Sequence, residues 1–148
     1  MRFFTFEKPM NYQSTIEQIK LHEGLRLRMY KCPADKWTIG YGFNLEAREI
    51  TEEIAEQLLL IVFAEIEDSL HKHGLLFSSH NDARKAVLVN MAYQLGITGL
   101  LKFKRMIAAY RDGNYIQASK EMLDSRWSKQ TANRAETLAE QMLTGEFQ

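Results

Sequence analysis

Apolar residues recur along this chain with two different periods. Ile16, Ile19 and Leu21 fall on one side of a short amphipathic helix, with Ser14 as N-cap and Glu17 three residues on as its capping-box partner. Gly24 suits the left-handed end of that helix. Beyond it the period shortens. Leu27, Met29 and Lys31 alternate with Arg28 and Tyr30, Pro33-Ala34-Asp35-Lys36 reads as a turn, and Trp37 to Gly42 reads as a second strand, giving a small hairpin. Residues 1–13 read as an irregular arm.

From Thr51 the pattern is helical. Thr51 precedes Glu52 and Glu53, an N-cap followed by acids that suit the positive end of the helix dipole. This helix is expected to run to about His73 and stop at Gly74. Its middle, Leu58 to Phe63, is apolar on every side, which predicts burial between two lobes. Four further helices are expected: about 81–95 ending at Gly96, 98–111 ending near Gly113, 115–124, and 132–144 ending at Gly145. The linkers are short, as in a compact helical domain. The fold class is therefore α+β and mostly α-helical. It has two lobes in one domain over 1–148: a small β-hairpin lobe at about 25–51, a linking helix at 52–73, and a larger helical lobe at 74–148 joined by 14–24.

With 148 residues, 45% of them apolar, and only two prolines and eight glycines, the chain fits one globular domain and not a disordered or fibrous one. The densest apolar run, Leu58 to Ala64, is too short to span a bilayer, so no stable membrane insertion is expected. The N-terminus has no apolar h-region, so no signal peptide is expected and the predicted compartment is the cytoplasm. A single cysteine, Cys32, excludes an intramolecular disulfide. The formal net charge of zero hides a net of −6 over residues 52–71 between a net of +2 before it and +4 after it. Nothing is basic enough to suggest nucleic acid as a partner.

Candidate chemistry lies in Leu21-His22-Glu23-Gly24-Leu25-Arg26-Leu27-Arg28-Met29-Tyr30-Lys31-Cys32, continued by Trp37-Thr38-Ile39-Gly40-Tyr41-Gly42. Glu23 ends a helix, where the negative end of the dipole disfavours its ionised form and partial burial would act the same way. A hairpin can fold Cys32 and Thr38 back beside it. Glycoside hydrolysis needs a carboxylic acid that holds its proton and a water held on the opposite sugar face. By spacing alone, Glu23 reads equally as an ordinary helix-end acid, Cys32 as a core thiol and Thr38 as a β-branched strand residue.

The segment resembles the signature of the phage lysozymes of glycoside hydrolase family 24: Glu, eight residues, Asp or Cys, five residues, Thr. Glu23, Cys32 and Thr38 match it without a gap. Two further blocks, Asn90 to Gly99 and Ser125 to Ala135, resemble family text in the right order, so the likeness covers roughly residues 14–146. It implies that Glu23 is the general acid, that Cys32 replaces the more usual aspartate, and that Thr38 helps position the attacking water. Tyr93 and Gln94 would line the saccharide cleft, expected between the lobes. Gln130 would lie near it, and Arg134 would pair with or orient the glutamate, opposing the dipole. Asp35 in the adjacent turn is a weaker surrogate for the missing carboxylate.

The chain departs from the family in places. Gly42-Phe43-Asn44 stands where the family has Gly-His, the stretch from Asn44 to Thr51 is shorter than in the T-even enzymes, and Met106 and Glu121 occupy two positions that contact saccharide there. The implied reaction is hydrolysis, with inversion, of the β-1,4 bond between N-acetylmuramic acid and N-acetylglucosamine in peptidoglycan, for host lysis. The implied state is a monomer that uses no cofactor and meets the glycan strand after release by a holin-type partner. A lytic transglycosylase and a non-catalytic wall-binding module are the alternatives. His71 and His73, two residues apart on a helix, diverge and make a poor chelate, so no metal is expected. Trp37, Tyr93 and Trp127 read as sugar platforms or core, and Met106 and Met122 as packing.

Overall fold

The computed structural model describes residues 12–148. The elements run α1 (Tyr12–Glu23), β1 (Arg26–Lys31), β2 (Trp37–Gly40), β3 (Phe43–Asn44), α2 (Glu52–Lys72), α3 (Asp82–Leu101), α4 (Lys104–Arg111), α5 (Tyr115–Leu123), α6 (Arg126–Gln130) and α7 (Ala132–Thr144). This is the mostly helical α+β class that the sequence pattern predicts. Two compact units divide the chain, one up to Gln57 and one from Leu58 to Gln148. No single helix among the described residues is long and apolar enough to cross a membrane.

The first unit holds α1 and an antiparallel sheet of order β1-β2-β3. Its register pairs Tyr30 with Thr38, Lys31 with Trp37, and Thr38 with Asn44, and it slips between Arg26 and Tyr30. The expected turn forms over Cys32 to Lys36, with Asp35 N–H donating to Cys32 O at 2.8 Å and Cys32 N–H to Lys36 O at 3.0 Å. Two details differ from expectation. Ser14 lies inside α1 and does not cap it, and the Glu17 carboxylate takes bonds from Gln13 and Lys20 instead. Second, β2 ends at Gly40, and a short third strand follows because the Asn44 carboxamide oxygen accepts from Glu46 N–H and Ala47 N–H and fixes the next turn. The irregular arm falls mostly on residues 1–11, outside the described residues, and residues 12 and 13 are helical.

Thr51 caps α2 as expected, its hydroxyl accepting from Ile54 N–H at 3.3 Å. The predicted burial of the middle of α2 is not found. Leu58 to Phe63 are 37–55% exposed, and the helix buries only Ile66 and Leu70. The core of the second unit gathers around α3, α4, α5 and α7, and it draws on α2 only in its last turns. Fully buried Leu88, Met91, Leu100, Met106, Tyr110, Met122 and Met142 fill that core, each apolar side chain contributing roughly 1.5–3 kcal/mol of transfer free energy.

Asn81 caps α3 through Arg84 N–H, and the helix breaks at Gly96 as expected, then resumes as far as Leu101. The single helix expected over 98–111 is divided. Lys102 N–H and Phe103 N–H turn back onto Gly99 O and Leu100 O, and α4 leaves at 101°. The bend brings both Leu100 and Met106 into the core and sets Phe103 edge-on to Trp127. The five-residue α6, capped by Ser125, was not anticipated, whereas α5 and α7 fall where the pattern puts them.

Candidate active site

The first unit builds one pocket of about 340 Å³ from Glu23, Arg26, Tyr30, Cys32, Pro33, Thr38, Gly42 and Asn44. Each wall follows from local structure. Glu23 is the last residue of α1, and the chain leaves it through Gly24, whose N–H closes the helix on Lys20 O at 2.9 Å. β1 carries Arg26 and Tyr30, stacked as a cation–π pair 5.0 Å apart, and ends just before Cys32. Across the pairing, Thr38 stands on β2 with 3% exposure and donates its hydroxyl proton to Lys36 O at 2.9 Å. Asn44 lies opposite Thr38 on β3. Gly42 faces the glutamate so closely that its missing side chain is the space the carboxyl group occupies.

A charged frame stiffens the hairpin beside the pocket. Glu46 accepts from Trp37 N–H at 3.1 Å and pairs with Lys36 at 3.3 Å and Lys31 at 3.7 Å. The Trp37 amide, then Lys36, holds its carboxyl below the usual range. Lys31 also lies 4.5 Å over the Trp37 ring.

Cys32 is partly exposed, and its thiol is shifted down from its ordinary value. The backbone amide of Lys36 is the main cause. Partial burial opposes it, and the amide of Ala34 adds to it. The turn thus biases this side chain toward the thiolate. Asp35 does not line the pocket. Its side chain is 88% exposed at a left-handed backbone position, loosely opposite Lys31, whereas Cys32 lines the pocket.

The structure therefore brings Glu23, Cys32 and Thr38 together. It gathers Tyr93 and Arg134 separately, in the second unit, where they border a larger pocket of about 560 Å³ with Asn90. Arg134 donates to Asn90 twice, from Nε to Oδ1 at 2.8 Å and from Nη2 to the carbonyl at 3.0 Å. Gln94 and Gln130 line neither pocket. The Gln94 carboxamide oxygen accepts from Trp127 Nε1 at 2.9 Å, and Gln130 ends α6, exposed. Trp127 is core, whereas Trp37 and Tyr93 are 39% and 44% exposed. Met106 and Met122 are packing, as expected. The histidines disperse. His71 approaches Glu67, His73 bonds Ser69 O, and buried His80 stacks on Tyr110 and bonds Tyr115.

Sequence reasoning did not single out Arg26, Tyr30, Gly42 and Asn44 as site residues, although all four lie in or beside the signature text. Strand alternation could not announce the stacking of Arg26 on Tyr30, because the register slips between them.

A helix-end glutamate set against a thiol and a hydroxyl on a small antiparallel sheet, within a mostly helical α+β chain, defines a lysozyme-like glycosidase. Residues 20–142 match the family model described as phage lysozyme. The chain is 31% identical to the endolysin of Acyrthosiphon pisum secondary endosymbiont phage 1, over 80% of each chain. It is 24% identical to a Dictyostelium discoideum protein named "Probable T4-type lysozyme 1", over 87% of this chain and 93% of that one. It is also 28% identical to the pre-baseplate central spike protein Gp5 of Enterobacteria phage T4, over 91% of this chain but only 28% of that longer protein. The chain belongs to the phage lysozyme family. It is a glycoside hydrolase, and its substrate is peptidoglycan.

Proposed function

We propose that the chain cuts the β-1,4 bond between N-acetylmuramic acid and N-acetylglucosamine by direct attack of water, with inversion. Glu23 gives its proton to the glycosidic oxygen as the sugar C1–oxygen bond breaks. Water held by Thr38 and Cys32 attacks C1 from the opposite face, and the Cys32 thiolate takes up its proton. Tyr93, Gln94, Gln130 and Arg134 bind the glycan strand in this reading. The observation that carries it is the convergence of Glu23, Cys32 and Thr38 on one pocket. The lowered thiol pKa lends support, because a thiolate can carry the charge that the family's aspartate supplies.

The biological setting that fits is host lysis. The enzyme accumulates as a monomer in the cytoplasm and reaches the wall when a holin-type partner opens the membrane. Purified peptidoglycan tests the chemistry. Wild type should clear a turbid suspension, and Glu23→Gln should not, with a melting temperature nearly unchanged. Mass spectrometry of the fragments should find reducing ends. 1,6-Anhydro ends would identify a transglycosylase instead, and wall binding without clearing would identify a non-catalytic module.

A further inference from the structure

Gly40 and Gly42 bracket Tyr41 at the end of β2, and both hold left-handed backbone, with φ of +67° and +76°. Their surroundings differ sharply. A Cβ added to Gly40 meets nothing within 4 Å. A Cβ added to Gly42 falls 2.6 Å from Glu23 Oε2, 3.0 Å from the carboxyl carbon and 3.6 Å from Cγ. The three nearest atoms all belong to one side chain, that of Glu23.

We infer that Gly42 is a positioning residue for Glu23: its bare α-carbon is the seat that fixes where the carboxyl group sits. The inference rests on the reading of Glu23 as the general acid. Two separate demands meet at this glycine. The positive φ disfavours any L side chain, and Gly40 bears the same demand alone. The second demand is space, and the two glycines do not share it. A methyl group at position 42 forces something to move, and the atoms in its way are the far end of a flexible side chain. The fold yields easily there, since Glu23 can swing aside without disturbing packed backbone. Catalysis does not, because proton delivery depends on the placement of that carboxyl to a fraction of an ångström. The sheet register adds to the control. Gly42 lies between Gly40, paired with Arg26, and β3, where Phe43 pairs with Ile39 and Asn44 with Thr38, so the backbone facing Glu23 is held on both sides.

The matched pair of glycines supplies the experiment. Gly40→Ala and Gly42→Ala are made in the full chain, and kcat and KM are measured on soluble glycan strands prepared from bacterial wall. The placement of the Glu23 carboxyl group is followed by its carbon NMR resonance. Gly42→Ala should lower kcat on the order of 10²-fold relative to Gly40→Ala, leave KM within about twofold, and shift the Glu23 carboxyl resonance. Equal kcat and an unmoved Glu23 resonance in the two variants overturn the inference. If Glu23→Gln keeps full activity while Gly42→Ala still moves the Glu23 resonance, the acid assignment fails and the seat stands. If Gly42→Ala does not fold, it is combined with Glu23→Ala. Recovery of folding to the level of Gly40→Ala confirms the clash with the carboxyl, and failure to recover shows that Gly42 serves the backbone alone.

Discussion

Trp127 Nε1 donates to Gln94 Oε1 at 2.9 Å, joining α6 to α3 through a side-chain bond on a nearly buried indole. The two residues belong to separate family-like blocks far apart in sequence, and the bond ties those two blocks together. Gln94→Leu leaves the indole N–H without its acceptor and should cost about 1–3 kcal/mol in urea unfolding, whereas Gln94→Glu keeps an acceptor and should cost less. Equal losses in the two variants would show that the bond contributes nothing.

Cys32 should behave as a base and not as filler. Cys32→Ala should lower kcat by about 10²–10⁴-fold, the range of a general base, and Cys32→Asp should retain activity. The acid limb of the pH–rate profile sharpens the test. As pH falls through the depressed thiol value, the thiolate takes a proton and the rate drops. With aspartate the same limb should move down toward about pH 4. An acid limb at the same pH in both enzymes would assign it to another group.

His80 makes the second unit sensitive to acid. Its ring is 4% exposed, stacked 3.9 Å from Tyr110, with Nδ1 2.7 Å from the Tyr115 hydroxyl. Burial first, then the positive charges of Lys85 and Arg84, pushes its pKa below 6.5. The groups facing it are those two cations and the two tyrosines, with the Tyr110 hydroxyl donating to Leu75 O and its pKa pushed up by burial. The unfolded chain therefore binds the proton more readily. The stability contribution is present above about pH 6.5 and is lost as pH falls toward the folded value, by about 1.4 kcal/mol for each unit of difference. Melting temperature should fall more steeply between pH 7 and 5 in wild type than in His80→Phe. Parallel curves would remove His80 as the cause.

Arg84 closes the end of α7. Its Nε donates to Met142 O at 2.8 Å and its Nη2 to Leu143 O at 3.0 Å, while the guanidinium lies 3.8 Å over the Tyr115 ring. A cation there also meets the negative end of the helix. Arg84→Lys loses the two-pronged geometry and should destabilise by about 1–2 kcal/mol, read by chemical denaturation at neutral pH. An unchanged midpoint would show that the contacts are incidental.

Much of the fold was legible because its boundaries are chemical. Thr51, Gly96, Gly113 and Gly145 mark ends that local rules recognise, and the structure puts ends or breaks there. What escaped depends on distant packing. The bend at Lys102–Phe103 has no proline or glycine to announce it, and it exists so that Leu100 and Met106 can both enter the core. The apolar stretch Leu58 to Phe63 misled for the opposite reason, since composition records what a helix could bury and not what lies beside it. At the pocket, the spacing of Glu23, Cys32 and Thr38 was readable from the text. The roles of Gly42 and Asn44 were not, because one acts by what it lacks and the other by a turn it fixes two residues later.

The chain holds one sulfhydryl, and it lies partly exposed on the wall of the pocket with its thiolate favoured by the Lys36 amide. An alkylating dye should therefore mark this molecule at a single known place without any engineered handle. The speed of that labelling, slowed by bound oligosaccharide and restored when it washes out, would turn Cys32 into a gauge of ligand occupancy in the unmodified enzyme.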